Sequence, residues 1–160
     1  MKLCIWFICC TFIITAVCGE ITQNQNDEYQ DEADSETTYR TGENVFWAHA
    51  SSLCHELGMR MVILDSHEKN EKIFNYIKTN TRFALKHFWI GTIRLTKPDG
   101  SKEYLWQNTQ KQVSYNSWDH HQPSAEEHEE CVEIWGGAHR LAWNNIGCND
   151  INGVICEMIN

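Results

Sequence analysis

Residues 118–156 read WDHHQPSAEEHEECVEIWGGAHRLAWNNIGCNDINGVIC, and this stretch decides the fold. It opens with Trp118, passes through Gln122-Pro123-Ser124, and enters an acidic run from Glu126 to Glu130 that is interrupted by His128. Cys131-Val132-Glu133-Ile134-Trp135 follows, then Trp143-Asn144-Asn145, Cys148, and finally Val154-Ile155-Cys156. The short apolar pieces are β-branched and aromatic, which reads as strands. The carboxylates and amides between them read as loops, with cysteines at the edges to hold them. Such loops suit a hard cation, since calcium takes about six to eight oxygen ligands. They equally suit a polyol, because carboxylates accept from hydroxyls while amides can both accept and donate.

Upstream, Phe88-Trp89-Ile90-Gly91-Thr92-Ile93 is a further strand. Lys97-Pro98-Asp99-Gly100 is a turn, and Tyr104-Leu105-Trp106 is the returning strand. From about Gln107 to Glu130 the sequence is polar and irregular, a length of loop that usually carries function. Earlier still, Phe46, Ala50, Leu53 and Leu57 recur at helical spacing beside Cys54. Asn44 is expected to cap that helix and Gly58 to end it. Met61, Ile63 and Leu64 form a short apolar strand or turn. Asp65 with Glu68 resembles a capping box for a second helix carrying Ile73, Phe74 and Ile77, with Asn80 as its stop. Two helices followed by antiparallel strands predict an α+β domain over residues 39–160.

The N-terminal portion reads differently. Lys2 precedes an apolar run from Leu3 to about Val17, shorter than the roughly 20 residues a spanning helix needs. Small residues and the polar Glu20 follow, so residues 1–19 are expected to be a cleaved secretory signal peptide rather than an uncleaved anchor. Residues 20–38 are rich in Asp, Glu, Asn and Gln, too polar to bury a core, and are expected to be an acidic disordered tail. Of the eight cysteines, Cys4, Cys9, Cys10 and Cys18 fall in the leader. Cys54, Cys131, Cys148 and Cys156 remain, an even set that implies disulfides in a secreted, extracellular protein. Spacing alone leaves all three connectivities open. The formal charge of −9 argues against nucleic acid as a partner.

These motifs, in this order, resemble the C-type lectin domain. Trp89-Ile90-Gly91 matches the family's central strand motif, and Cys54, Cys131, Cys148 and Cys156 match its framework cysteines. The resemblance covers about residues 39 to 158. It implies a C-type lectin-like fold with a long ligand-binding loop region and the pairings Cys54–Cys156 and Cys131–Cys148. It also implies a carbohydrate site built from Gln122, Ser124, Glu129, Asn144 and Asn145. Gln122, Glu129, Asn144 and Asn145 would face a Ca2+ ion, and Pro123 would be the family's cis proline. Gln122 as the first residue of its triplet leans toward galactose. Two departures weaken calcium: Ser124 stands where binders of the family have Asn or Asp, and Asn145 where they have Asp. One carboxylate, Glu129, remains among the five, unless Glu126, Glu127 or Glu130 turns inward. The expected partners are glycans or glycoproteins, with no membrane insertion.

Other readings are open on the residues alone. A lectin-like protein-recognition module with a decayed calcium and sugar site fits Ser124 and Asn145. His120, His121 and His128 beside four glutamates could hold zinc. No serine elbow or metalloprotease helix motif is present, so an enzyme is not expected. Trp89, Trp106, Trp118 and Trp143 read as core, and Trp135 as the more exposed candidate for stacking on a ligand.

Overall fold

A computed structural model describes residues 39–79, 87–136 and 139–159. The expected signal peptide, the acidic tail and the helix stop at Asn80 lie outside the described residues. The elements are β1 (Tyr39–Val45), α1 (Trp47–Glu56), β2 (Met59–Met61), α2 (His67–Thr79), β3 (His87–Thr96), β4 (Lys102–Trp106), β5 (Lys111–Gln112), β6 (Cys131–Gly136), β7 (Leu141–Ile146) and β8 (Asn152–Met158). The α+β expectation agrees with this order.

The first helix buries a different face from the one the spacing suggested. Trp47, Ala50 and Cys54 are buried, while Phe46 and Leu57 stay exposed. The reason is polar as well as apolar. The Trp47 indole Nε1 donates to the Ile90 carbonyl at 3.0 Å, so both ring and tip are satisfied inside. Phe46 becomes the extended N-cap residue, without a side-chain cap, and Asn44 lies in β1 instead of capping. Gly58 ends the turn at φ +69, donating its N–H to the His55 carbonyl at 2.9 Å. The cap of α2 also moves by one residue. Ser66 Oγ, not Asp65, accepts from the Lys69 N–H at 3.2 Å. Ile73, Phe74 and Ile77 are buried as expected, together with the polar Asn70.

The sheet runs β1-β8-β3-β4-β5, with β2 also paired to β8 and β6 paired to both β3 and β7. β3 and β8 are parallel. The hairpin turn after β3 is closed by Gly100 N–H to Lys97 O at 2.9 Å. β1 was not legible, since YRTGENV has no apolar alternation; its pairing with β8 makes it a strand. β3 separates two cores, because neighbouring strand residues point to opposite faces. Phe88 and Ile90 pack with Ile73, Phe74 and Ile77 of α2, whereas Trp89 packs with Trp47, Ala50 and Cys54 of α1.

The four cysteines form Cys54–Cys156 and Cys131–Cys148, with Cα separations of 5.4 and 5.1 Å. The first ties α1 to β8, and the second closes the open end of the β6–β7 hairpin. A buried polar centre joins the same strands. Glu133 accepts from Asn144 Nδ2 at 2.8 Å, Asn152 Nδ2 at 2.7 Å and His87 Nδ1 at 3.0 Å. Burial pushes the Glu133 carboxyl up, but the hydrogen bonds from His87, Asn144 and Asn152 and the His87 charge outweigh it, leaving the carboxyl below its usual range. The hydrogen bond to Glu133 raises His87, against the opposing effect of its own burial.

Two outcomes follow from these links. Chain-entropy arguments put the loss of Cys54–Cys156, which spans 102 residues, at about 5 kcal/mol, and the loss of Cys131–Cys148, spanning 17, at about 3 kcal/mol. Denaturant unfolding of the Cys54→Ala/Cys156→Ala and Cys131→Ala/Cys148→Ala proteins should show that order, and the reverse order would refute it. The second outcome concerns pH. His87 is raised, so its contribution is complete below its ordinary 6.5 and fades as pH rises through the folded value. Glu133 is lowered, so its contribution is complete above its ordinary 4.5 and fades as pH falls through the folded value. The stability deficit of His87→Gln, read from Tm across pH, should therefore be largest between those limits and shrink toward alkaline pH. A deficit independent of pH would show that the pair does not titrate with folding.

Candidate functional site

The long loop between β5 and β6 is organised at its start by aromatic packing around Trp143. Trp118 meets that ring edge-on at 5.7 Å, Trp106 at 5.9 Å and Tyr115 at 6.1 Å. The Trp143 indole donates to Asn70 Oδ1 on α2 at 3.0 Å, which explains the buried asparagine. The loop backbone is zipped to β7 by Trp143 N–H to Ser117 O at 3.0 Å and Asp119 N–H to Trp143 O at 2.9 Å. Arg140 adds a cross-link, reaching Asp119 Oδ1 at 3.0 Å and the Trp118 carbonyl at 3.2 Å. Trp89, Trp106 and Trp143 are buried, and Trp118 is partly so.

Beyond this anchor, four of the five expected site residues converge. The Gln122–Pro123 peptide is cis. The Ser124 N–H is shared by Gln122 Oε1 at 2.8 Å and Asn145 Oδ1 at 2.6 Å. Asn145 Nδ2 returns to the Ser124 carbonyl at 3.3 Å and to the Glu129 carbonyl at 3.2 Å. The Ser124 hydroxyl donates to Glu129 Oε2. Asn144 is held elsewhere. Successive strand residues face opposite sides, so Asn145 lies with Trp143 on the loop side while Asn144 turns to Glu133. The acidic residues of the loop do not turn inward. Glu127 pairs with Lys102 Nζ at 2.6 Å, an interaction that lowers its carboxyl pKa, and Glu126 and Glu130 are exposed.

One cation lies under this loop. Arg94 of β3 is 5% exposed, and its Nη2 donates to the Glu127 carbonyl at 2.6 Å. Its backbone N–H donates to the Glu130 carbonyl at 2.7 Å. Tyr104, opposite Arg94 on β4, has its hydroxyl pKa raised by burial, with Arg94 opposing the rise and the Glu129 charge adding to it. Sequence reading missed Arg94 and Glu133. The available signal was a charge at an inward position of an otherwise apolar strand, in Phe88–Leu95 and in Cys131–Trp135 respectively.

The donor set fits a tightly held calcium ion poorly. The Gln122, Asn145 and Glu129 oxygens already accept hydrogen bonds from Ser124, and only one of the clustered residues carries a formal negative charge. Among the described residues no three His, Cys, Asp or Glu side chains group as a metal site, and His120 stacks edge-on against His121 at 3.7 Å. The arrangement is instead a partly exposed set of one carboxylate, two amides and a hydroxyl, able to accept and donate to a hydroxylated ligand. Trp135 stacks on His87 at 6.2 Å on the Glu133 side of β6.

Known proteins share this architecture. The Lectin C-type domain model matches residues 43–158. C-type lectin 16 of Aedes aegypti is 28% identical over 117 residues, covering 69% of this chain and 74% of that one. The crystal structure of human lithostathine superposes with a TM-score of 0.64 at 22% identity, covering 76% of this chain and 83% of the other. The cow C-type carbohydrate-recognition domain of CD23, solved in the presence of a GlcNAc2Man3 oligosaccharide, gives a TM-score of 0.59 at 25% identity, covering 76% of this chain and 87% of that one. The matched domain contains both disulfides, both helices and the clustered loop residues, and the chain belongs to the C-type lectin domain family.

Proposed function

We propose that this protein is a carbohydrate-binding lectin that recognises extracellular glycans through Gln122, Ser124, Glu129 and Asn145. The observation that carries the reading is the convergence of these four residues in one partly exposed loop cluster. Sugar hydroxyls would donate to the Glu129 carboxylate and the amide oxygens, and would accept from the amide NH2 groups. Asn144 is assigned a supporting role, bracing Asn145 from the opposite face through Glu133. The calcium dependence and galactose lean implied by the family pattern belong to this proposal in a weak form. With a single carboxylate charge, calcium affinity is expected no tighter than roughly millimolar. Secretion is supported by the two disulfides, which persist in oxidising compartments. Among the described residues no helix is long and apolar enough to cross a membrane.

A second reading has its own observation. Several oxygens of the cluster already accept hydrogen bonds from Ser124 and only one carboxylate is present, as in a lectin-like loop that recognises protein after its calcium and sugar site has decayed. Affinity chromatography separates the two. Retention on galactose or mannose resin supports the lectin, and the effect of EDTA on elution assigns the role of calcium. No retention on any sugar resin would turn the search to a protein partner. A companion experiment tests the assigned residues. Ser124→Asp/Asn145→Asp takes the five-residue formal charge from −1 to −3, and calorimetry should show calcium binding tightened by roughly tenfold or more. Unchanged affinity would remove these positions from any metal-facing role.

A further inference from the structure

A buried guanidinium beneath an acidic loop is costly unless its donors are used. Arg94 uses them unevenly. Nη2 holds the Glu127 carbonyl, while Nε and Nη1 are buried without a hydrogen-bond partner. The Tyr104 hydroxyl, on the cross-strand neighbour of Arg94, is likewise buried and makes no hydrogen bond of good geometry. These donors cannot serve a surface ligand, because they are closed off from solvent. Arg94 meets residues 126–130, the segment that delivers Glu129 to the candidate site, at the Glu127 and Glu130 carbonyls. Four glutamates lie in that segment: Glu126, Glu127, Glu129 and Glu130. Lys102 engages Glu127 from outside, and Arg94 is the interior cation.

We propose that Arg94 is the resident cation of the binding loop, holding the Glu127 and Glu130 backbone against β3, so that the loop is ordered without calcium. Formal charge makes the point. The five family-matched positions carry −1, from Glu129, and Arg94 brings +1 beneath the same loop, which weakens the negative field a hard divalent cation needs. The guanidinium suits this place because it cannot deprotonate and its planar fork can hold more than one carbonyl. Arg94 is therefore a positioning residue: it acts through the loop and touches no ligand. The inference takes the loop cluster of the proposed function as the site, but concerns its order and not what it binds.

The test is hydrogen exchange on the disulfide-bonded chain, in EDTA and in millimolar calcium, with no sugar present. The reporters are the Ser124, Glu126 and Glu129 amides, which donate within the loop. In the wild type their protection should be the same with and without calcium. In Arg94→Gln these amides should exchange about tenfold faster or more, with β6–β8 still protected. Arg94→Lys, which keeps the charge, should recover part of the protection, while Lys102→Gln, which removes only the outer pair, should leave it nearly unchanged. Wild-type protection that rises about tenfold on adding calcium would overturn the proposal, as would an Arg94→Gln loop as protected as the wild type. Should Arg94→Gln fail to fold, the wild-type comparison alone decides. Sugar retention is read separately, so failure of the lectin reading and failure of this one give different results.

Discussion

The register of β6 against β7 decides which side of the sheet each asparagine serves. Val132 lies opposite Asn145, Glu133 opposite Asn144, and Ile134 opposite Trp143. Cross-strand partners share a face, so Asn145 continues the row that holds Trp143 and the main core, while Asn144 belongs to the Glu133 row. A slip of one residue would exchange the two rows, putting an asparagine in the core and Trp143 against a buried carboxylate. Three constraints prevent the slip. Cys131–Cys148 closes the open end, Trp143 is locked to Asn70 and the surrounding aromatic rings, and Glu133 collects three hydrogen bonds from three different elements. The loop cluster inherits its geometry from these.

That dependence explains how polar residues can be both buried and useful. Asn145 is 1% exposed, yet its amide reaches out to Ser124 and to the Glu129 backbone. It acts as the floor of the site, and the residues above it, Gln122, Ser124 and Glu129, are the partly exposed ones. Beneath the same loop, Arg94 donates to the Glu127 and Glu130 carbonyls. The loop is thus held by hydrogen bonds from Asn145 of β7 on one side and from Arg94 of β3 on the other.

Much of the fold was legible in the sequence because it rests on local pattern. The strand pieces Phe88–Ile93, Tyr104–Trp106 and Cys131–Trp135 carry β-branched and aromatic residues, and the Pro-Asp-Gly turn announces its hairpin. The family resemblance supplied the disulfide pairing, which cysteine counting left open. What failed depended on partners distant in sequence. β1 has no strand-like composition and exists because β8 offers it an edge. Phe46 and Trp47 are adjacent aromatics, and only the Ile90 carbonyl, 43 residues away, decides which goes inside. Ser66 and Asp65 were equally good caps on paper. In the site, the family resemblance pointed to Gln122, Ser124, Glu129, Asn144 and Asn145, but the separation of Asn144 from Asn145 follows from strand alternation. Arg94 was passed over because a single arginine in an apolar strand resembles an edge charge until the loop above it is seen.

Ser124, Asn145 and Glu129, the residues proposed to hold a glycan, are already bonded to one another, and with one carboxylate among them they are expected to take calcium only weakly. NMR of the 15N-labelled chain tests this most directly, by following the Ser124 amide and the Asn145 side-chain NH2 during separate titrations with calcium and with simple sugars. Both signals are expected to hold their positions through submillimolar calcium and to shift on addition of a bound sugar. Saturating shifts of both signals at submillimolar calcium, with no response to sugar in its absence, would contradict it.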